Sequence, residues 1–236
     1  MDIRGLTKFS LVDFPGKLSC IIFVGRCNFR CPYCHNPYLV VYHESQPRIT
    51  EEEIFDFLRQ RIGKLDGVVI SGGEPSLYYG TAEFAKKVKA MGFAVKLDTN
   101  GSHPERIIEM CEDGLIDMLG IDYKAPTYAY NAITACDIKD LPDRIHTLIK
   151  YVVEKQIPCD IRTTVHQKFH SPETLKDMRS ELNCLGIDQW HLQQFHATEI
   201  IDESLLEDET YSDSELMKIA DDLGENTKVR GVLTLQ

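Results

Sequence analysis

The chain has 236 residues, of which 43% are hydrophobic, 27% charged and 9% aromatic, a composition that excludes wholesale disorder and collagen-like architecture. Its longest unbroken apolar runs, Cys20 to Val24 and Tyr38 to Tyr42, hold five residues each, far short of the ~18 that a membrane-spanning helix requires. Lys and Arg number 26 against 37 Asp and Glu, a formal charge of −11, whereas binding to a phosphate backbone draws on a surplus of cations. The opening stretch MDIRGLTKFSLVDF offers neither a signal-peptide apolar region nor a small-residue cleavage site, and eight cysteines are too sparse for a disulfide scaffold. These features predict a cytoplasmic protein with reduced thiols and with neither membrane nor nucleic acid as a partner.

In chain order, short β-branched or apolar runs alternate with helical patterns of 10 to 15 residues, as parallel βαβ units do. Strands are predicted at 18–24, 67–71, 93–98, 116–122, 159–165 and 190–195. Between them, Thr50 with Glu53, Ser102 with Glu105 and Ser212 with Glu215 have capping-box spacing, in which two side chains satisfy orphan amides reciprocally. Ser171 before Pro172 is a further helix start. Ile145, Leu148, Ile149, Val152 and Val153 form one apolar stripe and Leu175, Met178, Leu182 and Leu185 another; Gly92, Gly114 and Gly186 read as helix stops.

No Pro/Gly/Ser-rich linker interrupts the series, which predicts one domain over 1–236 with a core at about 18–200 and a C-terminal extension at 201–236. Six such units suit either a doubly wound sheet or an incomplete (β/α)6 barrel, and periodicity does not separate the two. The polar residues favour the barrel. Cys27, Cys31 and Cys34; Gly72, Gly73 and Glu74; Asp98, Thr99 and Asn100; Asp122 and Lys124; Arg162 and Thr164; and Gln194 and His196 all fall toward or beyond the C-terminal ends of successive strands. Barrel enzymes place their sites on that face, while an open sheet gathers its site at a switch point.

The first of these groups carries three thiols as CxxxCxxC directly after the first strand. At about 3.3 to 3.6 Å of reach per residue they converge readily on one compact object. An iron-sulfur cluster suits such thiolates, and three ligands to a four-iron cluster leave one iron open. The alternative is structural zinc with His35 or Cys111 as fourth ligand, although His35 adjoins Cys34 and there is no second CxxC pair. Cys20, Cys111, Cys136, Cys159 and Cys184 read as packing residues.

The CxxxCxxC loop followed by Gly72-Gly73-Glu74-Pro75 resembles the radical S-adenosylmethionine (SAM) enzymes. The stretch Phe9-Ser10-Leu11-Val12-Asp13-Phe14-Pro15-Gly16-Lys17, with Cys27 to Pro37 ending Cys-His-Asn-Pro, resembles their glycyl-radical activating enzymes. Among these it is similar to the longer form of the anaerobic ribonucleoside-triphosphate reductase activating proteins. The resemblance implies an α/β incomplete (β/α)6 TIM-like barrel of the radical SAM type, with one 4Fe-4S cluster on Cys27, Cys31 and Cys34 and SAM on the open iron. It places Tyr33 against the adenine, and Gly72, Gly73 and Glu74 near the methionine moiety. Asp98-Thr99-Asn100-Gly101 and Asp122-Tyr123-Lys124 match paired motifs of the pyruvate formate-lyase activator. They imply a contact from Lys124 to the cofactor carboxylate and a monovalent cation held by Asp98, Thr99 and Asp122. Arg162 and His196 fit the remaining cofactor contacts. Only 36 residues separate Cys34 from Ser71, with no cysteine among them, which leaves no room for a ferredoxin-like insertion.

The implied reaction is reductive cleavage of SAM to a 5'-deoxyadenosyl radical that takes a hydrogen atom from a glycine of the anaerobic ribonucleotide reductase, with flavodoxin or ferredoxin as low-potential donor. Lys17-Leu18-Ser19 stands where formate-lyase activators carry a Gly-Ile-Arg type segment, a departure that favours the reductase over pyruvate formate-lyase or another glycyl-radical enzyme. A small-molecule radical SAM enzyme and a non-catalytic zinc module are the readings from other classes.

Overall fold

A computed structural model describes residues 1–41, 46–196 and 199–232; the last four positions of the expected C-terminal extension lie outside them. In chain order the elements are β1 (Ile3–Ser10), β2 (Ser19–Val24), α1 (Pro37–Val40), α2 (Glu51–Arg59), β3 (Gly67–Gly72), α3 (Gly80–Ala90), β4 (Ala94–Thr99), α4 (Pro104–Glu112) and β5 (Met118–Asp122). They continue as α5 (Tyr130–Thr134), α6 (Leu141–Glu154), β6 (Cys159–Val165), α7 (Pro172–Cys184), β7 (Trp190–Gln194), α8 (Asp213–Asp222) and β8 (Thr227–Arg230), with 3-10 turns at Pro75–Leu77, Thr127–Ala129 and Glu203–Glu207. The chain forms two compact units: residues 1–28 with 38–120, and residues 29–37 with 121–236.

In the first unit β2, β3 and β4 run parallel, with Ile22 opposite Ile70 and Ile70 opposite Leu97. Strand β1 lies antiparallel to β2 on its other side. The core is read directly from the apolar runs: Ile22, Val24, Val68, Val69, Ile70, Val95 and Leu97 are buried, as are Ile54 and Leu58 of α2 and Phe84 and Val88 of α3. A second apolar group, Phe14, Ile21 and Val69 with Phe23, Ala94 and Met118 packed on it, anchors the β1–β2 connection. In the second unit β6, β7 and β8 are parallel, with Arg162 opposite His191 and Gln193 opposite Arg230. Trp190 is buried and its indole donates to Thr163 Oγ1 at 3.0 Å.

All six predicted strands form. Capping boxes form at Thr50 and Ser212, Ser171 caps α7, and Gly92, Gly114 and Gly186 follow their helices with positive φ. Ser102 departs from expectation. Helix α4 starts at Pro104 with His103 as its N-cap, one residue later than a box at Ser102 would place it, because Ser102 is drawn away: its N–H donates to Asn100 Oδ1 at 3.0 Å and its hydroxyl accepts from Asn28 Nδ2 at 2.9 Å. Val153 and Cys184, expected in the core, are exposed. Residues 201–232 belong to the second unit, where α8 packs on β7 and β8. No helix among the described residues is long and apolar enough to cross a membrane.

Candidate active site

In the first unit the GGE segment after β3 holds the backbone that leads into Cys27. Gly73 N–H donates to Val24 C=O at 2.8 Å and Glu74 N–H to Arg26 C=O at 2.9 Å. A Cβ on Gly72 would overlap the Val24 backbone, and one on Gly73 the Arg26 carbonyl, so both positions require glycine for close approach. Arg26 itself has φ of 61°, the left-handed region, which turns the chain sharply out of β2. The Tyr78 hydroxyl donates to Gly25 C=O at 2.7 Å and fixes the other side of that turn.

Glu74 is fully buried. Its carboxylate accepts from Ser76 N–H at 2.9 Å, the Thr99 hydroxyl at 2.8 Å and Asn100 N–H at 2.6 Å. Burial raises its pKa and these hydrogen bonds oppose the rise. Its carboxylate is turned inward and ties the β3 loop to the end of β4. Asn100 then reaches toward the cysteine loop, its amide donating to Asn28 Oδ1 at 2.9 Å and lying 3.8 Å from Cys27 Sγ. Asp98 is paired with buried Lys96 and accepts from Ser71 Oγ at 3.1 Å. Gly120 leaves the space that this ion pair fills.

In the second unit Cys31 is buried, and Cys34 N–H donates to Cys31 C=O at 3.0 Å. Arg30 N–H bonds Thr134 C=O at 2.8 Å, and Asp202 N–H bonds Pro32 C=O at 3.0 Å. Tyr33 is 3% exposed, its ring packed against Phe169, His170 and His166 at centroid distances of 5.4, 5.6 and 6.2 Å. Lys124 Nζ lies 3.3 Å from Asp122 Oδ2, and Arg162 Nε donates to Asp122 Oδ1 at 2.7 Å. Burial would raise the Asp122 carboxyl, but Lys124 and Arg162 hold it well below the usual carboxylate range. Burial would lower the Lys124 ammonium, and Asp122 overrides that, raising it well above its ordinary value. His196 is exposed and its Nε2 bonds Gly231 C=O at 2.7 Å; among the described residues it hydrogen-bonds no other predicted site residue.

Each acidic group expected to hold a monovalent cation is therefore already answered by a protein cation in its own unit, Asp98 by Lys96 and Asp122 by Lys124 and Arg162. Among the described residues no group of three or more His, Cys, Asp or Glu side chains is gathered for an ion. The donor set of the loop suits an iron-sulfur cluster. All eight thiols are free of disulfides. Burial pushes Cys31 up to about 11 and Cys34 up as well, with Lys124 opposing both, and metal in place of the proton stabilises thiolate at such a position. His35, the nearest fourth ligand for zinc, has an exposed side chain.

Sequence reasoning missed the groups that brace these residues. Tyr130 and His170 are fully buried. The Tyr130 hydroxyl accepts from Lys124 N–H at 3.0 Å, and His170 Nε2 lies 2.9 Å from Lys124 C=O. Neither belongs to a motif, and no periodicity marks them. Lys96, a charge within an apolar strand, was the one visible signal of the buried pair with Asp98.

The Radical SAM superfamily profile matches residues 21–179. A Methanocaldococcus jannaschii protein, MJ1227, named among the glycyl-radical enzyme activating enzymes, is 35% identical over 207 residues, covering 85% of this chain and 82% of its own. The pyruvate formate-lyase-activating enzyme of Staphylococcus epidermidis is 32% identical over 103 residues, 42% of this chain and 41% of that one. Streptococcus suis SuiB, solved bound to S-adenosylmethionine, shares the fold with a TM-score of 0.64 at 15% identity; the match covers 89% of this chain and 48% of SuiB, so the chain spans about half the length of that protein. The chain belongs to the radical SAM superfamily and, within it, to the glycyl-radical activating enzymes. Enzymes of this superfamily work with a 4Fe-4S cluster and SAM, which settles the choice between iron-sulfur and zinc.

Two outcomes follow. Gly73→Ala should force the Arg26 turn apart, and iron bound after anaerobic reconstitution should fall well below the parent value while far-UV circular dichroism is retained; parent iron content would contradict the close-approach role. Burial lowers His170 to about 4 from 6.5, with His166 and Lys124 adding to the fall and hydrogen bonds to Lys124 and His166 opposing it. The unfolded chain takes up this proton below pH 6.5 and the folded chain only near pH 4, so stability is lost as pH falls through that window, about 2 kcal/mol of it by pH 5. Urea unfolding followed through Trp190 fluorescence at pH 7 and pH 5 should show a smaller acid loss in His170→Gln than in the parent.

Proposed function

We propose that the chain generates the glycyl radical of the anaerobic ribonucleoside-triphosphate reductase. Cys27, Cys31 and Cys34 hold the cluster, and the bound cluster and SAM supply the one-electron cleavage chemistry that leads to hydrogen abstraction from a glycine. The observation that carries the reading is the lock of Gly73 and Glu74 onto Val24 and Arg26, because it joins the GGE motif to the cysteine loop as one construction.

The chain's own residues bind and orient. Lys124 takes the cofactor carboxylate, with Asp122 and Arg162 setting the position of its ammonium. The backbone at Gly72 and Gly73 would approach the methionine moiety of the bound cofactor. By the family resemblance, Tyr33 would meet the adenine, and Thr99, Asn100 and His196 would supply further contacts to the cofactor or its cation. Protein groups here position reactants rather than transfer protons, and positioning alone supports large rate effects. A flavodoxin or ferredoxin supplies the electron. The Lys17-Leu18-Ser19 segment favours the reductase as protein substrate, while the similarity to named pyruvate formate-lyase activators favours that lyase.

Cys31→Ala should lose cluster assembly and SAM cleavage while retaining the fold, and cleavage at the parent rate would defeat the assignment. The partner is tested anaerobically by electron paramagnetic resonance, with the reconstituted and reduced protein mixed with SAM and either the reductase or pyruvate formate-lyase. A glycyl doublet on the reductase alone supports the reading, a doublet on the lyase alone replaces it, and 5'-deoxyadenosine without either doublet overturns both partners.

A further inference from the structure

The second unit contains a buried construction that the cofactor residues do not account for. Lys124 is fixed through its backbone on both sides. Its N–H donates to the Tyr130 hydroxyl at 3.0 Å, and that hydroxyl donates in turn to Asp122 C=O at 3.2 Å. Its C=O faces His170 Nε2 at 2.9 Å. The tautomer of His170 follows from its other nitrogen: Nδ1 accepts from His166 N–H at 3.1 Å, so the ring proton resides on Nε2 and is donated to Lys124 C=O. The His170 carbonyl is itself held by the Tyr211 hydroxyl at 3.0 Å. Glu181, on α7, accepts from Thr127 N–H at 3.0 Å and from the Tyr123 hydroxyl.

The His170 ring also meets the Tyr33 ring edge-on. One imidazole thus touches both the loop that carries Cys31 and Cys34 and the residue assigned to the cofactor carboxylate. A lysine has four side-chain torsions to order, and ordering them at binding costs affinity. Fixing the backbone beneath the side chain removes the loop ordering that would otherwise add to that cost.

We infer that His170, together with Tyr130, is a positioning residue for SAM binding, acting through the backbone of Lys124. The inference rests on the reading that Lys124 contacts the cofactor. It is tested with the full-length, anaerobically reconstituted protein by measuring iron per chain and the SAM dissociation constant by calorimetry. His170→Leu should keep parent iron content and bind SAM about tenfold more weakly, the scale of one lost hydrogen bond. His170→Gln, which retains a donor, should recover most of that loss. In a Lys124→Met background, itself weakened, His170→Leu should weaken binding no further, although any change in unfolding midpoint would persist there. Tyr130→Phe should repeat the pattern and carries the test alone should His170→Leu fail to fold.

Parent affinity in the variants at His170 and Tyr130, with Lys124→Met weakened, would overturn the inference and leave the Lys124 assignment standing. Losses that add in the double variant would overturn it as well, since they would act independently of Lys124. Parent affinity in Lys124→Met would remove the reading beneath it.

Discussion

The cysteine loop leaves β2 through a backbone approach that only glycine permits. Gly73 lies so close to the Arg26 carbonyl that a methyl group would occupy its space, and the two hydrogen bonds made across this approach join the end of β2 to the end of β3. Arg26 accepts a left-handed conformation to make the turn, a cost that persists only where surrounding structure determines it. The burial of Glu74 follows from this geometry. With its backbone committed to Arg26, its side chain turns inward and must find donors. It finds them in Ser76, Thr99 and Asn100, and Asn100 is thereby brought to Cys27.

Charge is handled by local compensation. In a chain of net −11, Asp98 is met by Lys96, Asp122 by Lys124 and Arg162, and Asp160 by Arg230 and the His191 ring, whereas buried Glu74 is held by neutral donors. Buried pairs contribute little net stability compared with apolar packing, so their arrangement is better read for what it leaves available. Arg162 sits 2.7 Å from Asp122 and Lys124 3.3 Å. The Lys124 ammonium has three donors and meets Asp122 at the longer of these two contacts, a feature on which the proposed contact with a cofactor carboxylate draws.

The sequence made the strand ends legible because strands with apolar interiors leave their reactive residues at one end. It made Cys27, Cys31 and Cys34 and the GGE segment legible because spacing and order carry the chemistry. Strands β1 and β8 were not legible. IRGLTKFS and TKVR hold too few apolar residues to show alternation, and they form because an adjoining strand offers its edge. Ser102 satisfied the capping pattern but was captured by Asn28 and Asn100, an outcome decided by residues about 70 positions away in one case and two in the other. The inward turn of the Glu74 carboxylate onto Ser76, Thr99 and Asn100 was not legible, since sequence does not show which way a carboxylate turns.

The same limit explains why Tyr130 and His170 escaped notice. A residue that bears charge toward a ligand stands in a motif, but one that holds such a residue's backbone needs only a hydroxyl or a neutral imidazole at the right point. Neutral groups suit that task. A cation beneath Lys124 would repel its ammonium, and a carboxylate there would compete with Asp122 for it. A buried imidazole held neutral, with its pKa lowered to about 4, donates one hydrogen bond and adds no field. Asp122 and Arg162 can then set where the ammonium points, while Tyr130 and His170 set where the chain beneath it lies.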